Sequence, residues 1–127
     1  MWVATNQGFF SIVASDKDPK VLMVRARLRE DLKRAWGPIL KRLGLKIYYS
    51  PNRDYAYRCF IPREEVAAEI GKRLLETNYT NFKDSVKGKD TSKLKDLYDA
   101  IWYAGVNAQE GEETLRKEAV LWGPDRS

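Results

Sequence analysis

The sequence contains no histidine and a single cysteine, Cys59, among its 127 residues. Without imidazole, the chain lacks the commonest general base, nucleophile activator and metal ligand of enzymes. A tetrahedral zinc site of cysteine and histidine ligands cannot be assembled within such a chain, and an internal disulfide is excluded. These absences argue against zinc enzymes and imidazole-dependent hydrolases, and the cysteine count fits a reducing compartment.

Long apolar runs and nucleotide-binding loops are also missing. No stretch approaches the roughly 18 apolar residues needed to cross a bilayer, and the first residues do not resemble a signal peptide. We therefore expect a cytoplasmic protein without membrane contact. There is no phosphate-binding loop, no glycine-rich dinucleotide fingerprint and no nucleophile elbow. We accordingly expect a protein that is not an enzyme and needs no cofactor or metal.

Carboxylates remain as the catalytic alternative. Asp16 with Asp18, and Asp96 with Asp99, are the closest pairs of the residue type that binds a hard metal such as magnesium. Asp18 precedes a proline in a turn region, and the second pair fits the solvated side of a helix. A structural role is therefore favoured over a metal site for both pairs.

Charge is unevenly distributed. Lys and Arg number 23 against 18 Asp and Glu, which gives a formal net charge of +5. Residues 1–75 carry fifteen basic and eight acidic side chains, whereas residues 76–127 carry eight and ten. A basic region gains affinity for phosphates by releasing condensed counterions, but the same excess also serves solubility alone. Both interpretations remain open at this level.

The first half of the chain predicts strands followed by a helix. Residues 1–5 and 9–15 are expected to be extended, with Asn6-Gln7-Gly8 forming a tight turn or a bulge between them, because Gly8 tolerates a positive φ. Residues 21–28 alternate as a half-buried strand. From Arg29 the apolar residues recur every three or four positions, which predicts a helix to Leu43 stopped by Gly44. Gly37-Pro38 is expected to kink this helix or make it restart.

The same order then recurs, with strands at 45–49 and 55–61 and a helix opened by Pro62. This helix is expected to bury Val66, Ile70 and Leu74. The predicted fold is α+β, with two ββα units forming one antiparallel sheet and the helices on one face. A third helix at 93–106 completes a single domain at 1–106. Residues 107–127 are expected to form a C-terminal extension, either a weakly docked helix or a polar tail.

The sheet face away from the helices is the candidate functional surface. Strand alternation places Arg25 and Arg27 on that face, and places Arg58 there from the partner strand. If the registers align, Lys46 and Tyr48 join them. Guanidinium groups and flat rings together favour nucleic acid or a nucleotide phosphate as the ligand. The alternatives are a solvated charged face, or a face covered by the third helix or a second subunit.

Other residues are candidates for ligand or partner contacts. Asn81 and Lys83 are expected either to reach a ligand phosphate or, in the case of Asn81, to cap the following turn. Trp102 and Trp122 are candidate anchors for a protein partner or a homodimer. Cys59 is expected to be a buried, inert thiol that points to the same sheet face as Tyr55 and Tyr57.

Several motifs carry a resemblance to a family. They are Met1-Trp2-Val3-Ala4-Thr5 followed by Gly8-Phe9-Phe10-Ser11, Val24-Arg25-Ala26-Arg27-Leu28-Arg29-Glu30-Asp31-Leu32, Asp54-Tyr55-Ala56-Tyr57-Arg58, Asn81-Phe82-Lys83-Asp84, and Tyr98 with Trp102. Across residues 1 to about 105 the chain resembles a widespread, functionally uncharacterised family of small bacterial and phage proteins. The resemblance implies an accessory role, such as inhibition of host defence, by association alone.

Overall fold

The structure is a computed structural model that describes the backbone of residues 1–122 and the side chains of residues 1–113. It forms two compact units, Met1–Leu94 and Lys95–Ser127. The strands are β1 (Trp2–Thr5), β2 (Gly8–Ala14), β3 (Val21–Ala26), β4 (Tyr48–Tyr49) and β5 (Tyr57–Pro62), and the helices are α1 (Arg29–Leu43), α2 (Arg63–Leu75), α3 (Phe82–Ser85) and α4 (Ser92–Trp122).

The predicted α+β architecture is confirmed. The five strands form one sheet in the order β1-β2-β3-β5-β4, and every neighbouring pair is antiparallel. The β2-β3-α1 and β4-β5-α2 segments are the two expected ββα units, joined where β3 pairs with β5, and β1 adds an edge strand. β4 spans two residues, because the ladder with β5 includes Tyr48 and Tyr49 but not the preceding residues of the expected strand.

Alternation along each strand sends one set of side chains into a core beneath α1 and α2. Trp36 and Leu32 of α1 are completely buried against this face of the sheet, and Val66 of α2 is 3% exposed. Full burial of a large apolar side chain stabilises a fold by about 1.5–3 kcal/mol. Both helices therefore lie on the same face, where they cover Phe10, Ile12, Val24, Ala26, Cys59 and Ile61.

Gly8 is required by close packing, not by its backbone angle. A Cβ atom there would lie 2.4 Å from the ring of Phe10 and 2.8 Å from the Cβ of Asp31. The φ of Gly8 is not positive, so the turn does not use the left-handed conformation that glycine tolerates. The turn before it is instead closed by the Thr5 hydroxyl, which accepts hydrogen bonds from the amides of Gln7 and Gly8.

Helix α1 has the predicted bounds, since it runs from Arg29 to Leu43 and ends at Gly44 with φ 67°. The Gly44 amide donates to carbonyl groups of the last turn, as left-handed glycine caps do. Pro38 lies inside the helix, which continues through Gly37-Pro38, so the helix does not restart at Pro38.

Helix α2 buries less of its surface than its apolar stripe predicts. Val66 is buried and Ile70 half-buried, but Leu74 is 72% exposed, which contradicts its expected place in the core. The last turn of α2 extends past the end of the core cluster. The spacing of apolar residues thus predicted helix α2 correctly but wrongly extended the core to Leu74.

The third predicted helix is longer than expected. Its backbone is helical from Ser92 to Trp122 and so continues across position 106, where the sequence placed the end of the domain. The division between the two units falls after Leu94, in the first turn of α4. Among residues 1–122, no helix combines the length and the apolar character needed to span a bilayer.

Candidate anion-binding surface

A row of side chains crosses the sheet on the face opposite the helices. Strand register aligns Trp2 with Ser11, Ser11 with Arg25, Arg25 with Arg58, and Arg58 with Tyr48. Because directly paired residues point to the same face, one line contains an aromatic ring at each end and two arginines near its middle. The structure therefore brings Arg25, Arg58 and Tyr48 together as the alternation predicted.

This face is not bare along its whole length. Phe9 is 8% and Ser11 3% exposed, so the β2 part of the face is covered. Arg25 and Arg58 are half-buried, whereas Tyr48 is 52% exposed. The accessible part of the face thus lies toward β5 and β4.

Tyr55 organises the arginines, and strand alternation misplaced it. It lies in the loop before β5 and is 5% exposed, with its ring centroid 4.8 Å from the Arg25 Cζ and 4.2 Å from the Arg27 Cζ. Its carbonyl oxygen accepts a hydrogen bond from Arg58 at 3.1 Å. The ring therefore holds Arg25 and Arg27 by cation–π contact, instead of facing the core with Tyr57.

Arg53 was not among the predicted residues, although its charge acts on Arg58. The pKa of Arg58 lies below its ordinary value, first because of burial and then because of the charges of Arg53 and Arg25. We refer to Arg25, Arg27, Arg53 and Arg58 as the arginine cluster. The sequence feature that could have identified Tyr55 is the Asp54-Tyr55-Ala56-Tyr57-Arg58 motif, because the arginine cluster surrounds this segment.

No carboxylate of residues 1–113 forms a salt bridge with this cluster. The salt bridges Lys33–Glu30, Arg34–Asp31, Arg42–Glu65 and Arg73–Glu69 do not include a cluster arginine. Arg25 instead donates to the Ser11 hydroxyl at 2.6 Å, and Arg58 contacts the Met23 sulfur at 3.6 Å. The Nε groups of Arg25 and Arg58 are buried without a hydrogen-bond partner.

Three of the other predicted ligand residues lie elsewhere. Lys46 is exposed but precedes β4, outside the paired strands, so the register does not bring it into the row. Asn81 caps α3 by accepting a hydrogen bond from the Asp84 amide at 3.1 Å, which confirms the capping alternative. Lys83 is half-buried and already engaged within the chain.

The candidate protein anchors lie on α4. Trp102 is 51% exposed, beside Ile101 at 44% and Tyr103 at 63%. The Trp102 and Tyr103 rings meet edge to face, with centroids 5.1 Å apart. The side chain of Trp122 lies outside the described residues.

Comparison with protein families, curated proteins and solved structures found no match for this chain. Its chemistry is therefore read from its own residues.

Groups suited to bond-making chemistry are scarce at this surface. Cys59 faces the core, where burial raises the pKa of its thiol to about 12, so it is protonated at neutral pH. The prediction of a buried thiol is confirmed. No group of three or more Cys, Asp or Glu residues suited to a metal occurs among the residues whose positions are described. What the surface offers is positive charge, hydrogen-bond donors and aromatic rings.

Proposed function

We propose that the protein is a non-catalytic binding protein that engages nucleic acid or a nucleotide phosphate through the arginine cluster. One observation carries the proposal: Arg25 and Arg58 face each other across β3 and β5, and neither forms a salt bridge with a carboxylate of the described residues. Like charges in directly opposed positions destabilise a sheet. A bound phosphate removes that repulsion and accepts the available N–H groups.

Burial strengthens this argument. Arg25 and Arg58 are half-buried, so part of their positive charge is removed from solvent without a salt-bridge partner among the described residues. Perturbed charged groups without internal compensation concentrate at functional sites. The cluster is therefore better suited to receiving an anion than to stabilising the empty fold.

The aromatic residues around the cluster favour a nucleotide over a simple anion. Tyr48, which the strand register places on the same face as Arg58, contacts Phe60 edge to face. Tyr48 is 52% exposed and therefore presents ring surface to solvent. Stacking of bases on such rings adds about 1–3 kcal/mol per base, independently of sequence.

The test is binding of a fluorescent single-stranded DNA or RNA, measured over a range of salt concentrations. We expect the logarithm of the association constant to fall with the logarithm of salt with a slope of roughly −2 to −3, as three or four phosphate contacts require. Arg25→Ala combined with Arg58→Ala should weaken binding at least about tenfold and reduce the slope. Lys41→Ala, which removes an exposed charge from the last turn of α1, is the matched control.

Binding that does not depend on salt, or an Arg25→Ala, Arg58→Ala variant that binds as tightly as the control, would refute the proposal. Circular dichroism and thermal unfolding of the variant separate lost binding from lost structure. Phosphate and pyrophosphate as competitors determine whether the phosphate group alone is recognised.

A second candidate function is self-association through α4. Ile101, Trp102 and Tyr103 are consecutive, large and exposed, and exposed aromatic groups are common interface anchors. If α4 joins two copies of the chain, sedimentation analysis will show a dimer that Ile101→Ser with Tyr103→Ser converts to monomer. A monomeric parent protein at high concentration rejects this alternative, including an inhibitor that works as a homodimer.

A further inference from the structure

A cavity of about 460 Å³ opens beside the beginning of α1, next to the arginine cluster. Its lining includes Arg27, Arg29 and Lys93 together with the half-buried Tyr57. Arg27 also contacts the ring of Tyr55 in the arginine cluster. One side chain therefore belongs to both places, and the basic surface continues from the sheet into the cavity.

The charge of the cavity is positive once internal pairs are considered. Arg34 is held by Asp31 at 3.1 Å and donates to the carbonyl oxygens of Gln7 and Asp90. Glu30 lies 3.8 Å from Lys33.

The remaining charges of the cavity are Arg27, Arg29 and Lys93 against the carboxylate of Asp90. Among the described residues, no carboxylate oxygen lies within 4.0 Å of the nitrogens of those three cations.

The cations are distributed along the surface instead of surrounding one point. The backbones of residues two apart on a strand lie about 6.6 Å apart, and the guanidinium groups of Arg25 and Arg27 both contact the ring of Tyr55. Arg29 and Lys93 then continue the series into the cavity. A mononucleotide places its phosphate at one point, whereas a polynucleotide presents one phosphate per nucleotide along the whole line.

We infer that the ligand is single-stranded nucleic acid, which runs from Arg58 and Arg25 past Arg27 into the cavity lined by Arg29 and Lys93. The inference rests on the proposed function and names its substrate class. A single strand is required because its unpaired bases can reach the rings of Tyr48 and Tyr57, whereas the bases of a duplex are already paired and stacked.

The experiment compares oligothymidylates of about four and about twelve nucleotides with a blunt duplex, all binding to the full chain. The longer strand should bind at least about tenfold more tightly than the shorter one because it reaches the cavity. Arg29→Ala with Lys93→Ala should abolish this gain and leave the short strand unaffected. The matched control is Lys41→Ala with Lys95→Ala, which removes two exposed charges outside the cavity.

Asp90→Asn supplies a gain-of-function test. Asp90 has a φ of 62°, and asparagine adopts that left-handed conformation as readily as aspartate does. Loss of the carboxylate from the cavity should strengthen binding of the long strand several-fold. The short strand should bind this variant and the parent protein equally.

The inference is overturned if long and short strands bind alike, if the Arg29→Ala, Lys93→Ala variant matches its control, or if the duplex competes equally. In each of these cases the proposed function still holds if binding depends on Arg25 and Arg58. If the Arg25→Ala, Arg58→Ala variant binds every oligonucleotide normally, the proposed function fails first, and the inference fails with it.

Discussion

Single residues explain why the β1–β2 turn and the start of α1 meet so closely. The Asp31 carboxylate is 1% exposed, accepts a hydrogen bond from the Phe9 amide at 3.2 Å, and pairs with Arg34. Burial raises the pKa of Asp31 above that of an ordinary carboxyl group, more than these two hydrogen bonds lower it. The Asp31 side chain therefore packs so closely against Gly8 that a Cβ atom at position 8 would not fit.

Asp31→Asn should lower the free energy of unfolding by about 3 kcal/mol, because it leaves Arg34 without its charged partner in a partly buried site. The side-chain amide of the introduced asparagine would also place N–H groups beside the Phe9 amide and the Arg34 guanidinium, which are themselves hydrogen-bond donors. Urea denaturation followed by the fluorescence of the buried Trp36 measures the change. Glu30→Gln, on the exposed side of the same turn, is the control, and an equal effect of the two variants would contradict this role for Asp31.

In the arginine cluster, unlike at Asp31, the neighbouring charges have the same sign as the residue they surround. Arg58 has a charge that neighbouring charges oppose, and its hydrogen-bond partner is a loop carbonyl group. Arg58→Met keeps the apolar stem and removes the repulsion. We expect the free energy of unfolding to change by less than about 0.5 kcal/mol, because relief of the repulsion offsets the lost hydrogen bond. A loss above about 2 kcal/mol would assign Arg58 to the stability of the fold.

Among the secondary-structure elements, α1 and α2 are joined to each other by ionic contacts as well as by the core. Arg42 donates to Glu65 at 2.6 Å, and Arg73 of α2 donates to the Ala35 carbonyl oxygen of α1 at 2.8 Å. The pKa of Glu65 is lowered mainly by the hydrogen bond from Arg42. Since both side chains lie near solvent, we expect a small effect on stability that salt weakens.

The sign of its pH dependence follows from that lowered pKa. A carboxylate that is more acidic in the folded protein stabilises it above the pKa of the unfolded chain, about 4.3, and this contribution disappears as pH falls further. Glu65→Gln should therefore be less stable than the parent protein at neutral pH and equal to it in strong acid. Thermal unfolding between neutral and acid pH measures this, with Glu64→Gln as control. A difference that grows with acidity would contradict the assignment.

At the scale of the whole molecule, the arginine cluster and its adjoining cavity belong entirely to the unit Met1–Leu94. Residues 107–113 of α4 are exposed at every position. The core of the first unit therefore does not depend on them.

Removal of residues 107–127 should change the free energy of unfolding of the first unit by less than about 0.5 kcal/mol, as for other changes away from the core. Oligonucleotide affinity should also be retained. Urea denaturation monitored by Trp36 fluorescence and the binding titration measure the two effects. A truncated chain that unfolds at much lower urea, or that binds weakly, would show that the C-terminal residues support the surface.

The order of the elements and the bounds of α1 could be predicted from the sequence, because they depend on local chemistry. The spacing of Leu32, Trp36 and Leu40 and the left-handed Gly44 operate within a few residues of each other. Alternation likewise predicted that Arg25 and Arg58 face away from the core. These features need no knowledge of which strands become neighbours.

The meeting of Arg25 with Arg58 was decided by tertiary structure, because strand register depends on contacts between distant segments. The same reason explains Tyr55, whose loop position released it from strand alternation and placed it against Arg25 and Arg27. Burial of Phe9 and exposure of Leu74 also depend on where packed layers end. Sequence alone determined which groups the surface contains, and long-range packing determined which of them lie together, partly buried and without a salt-bridge partner among the described residues.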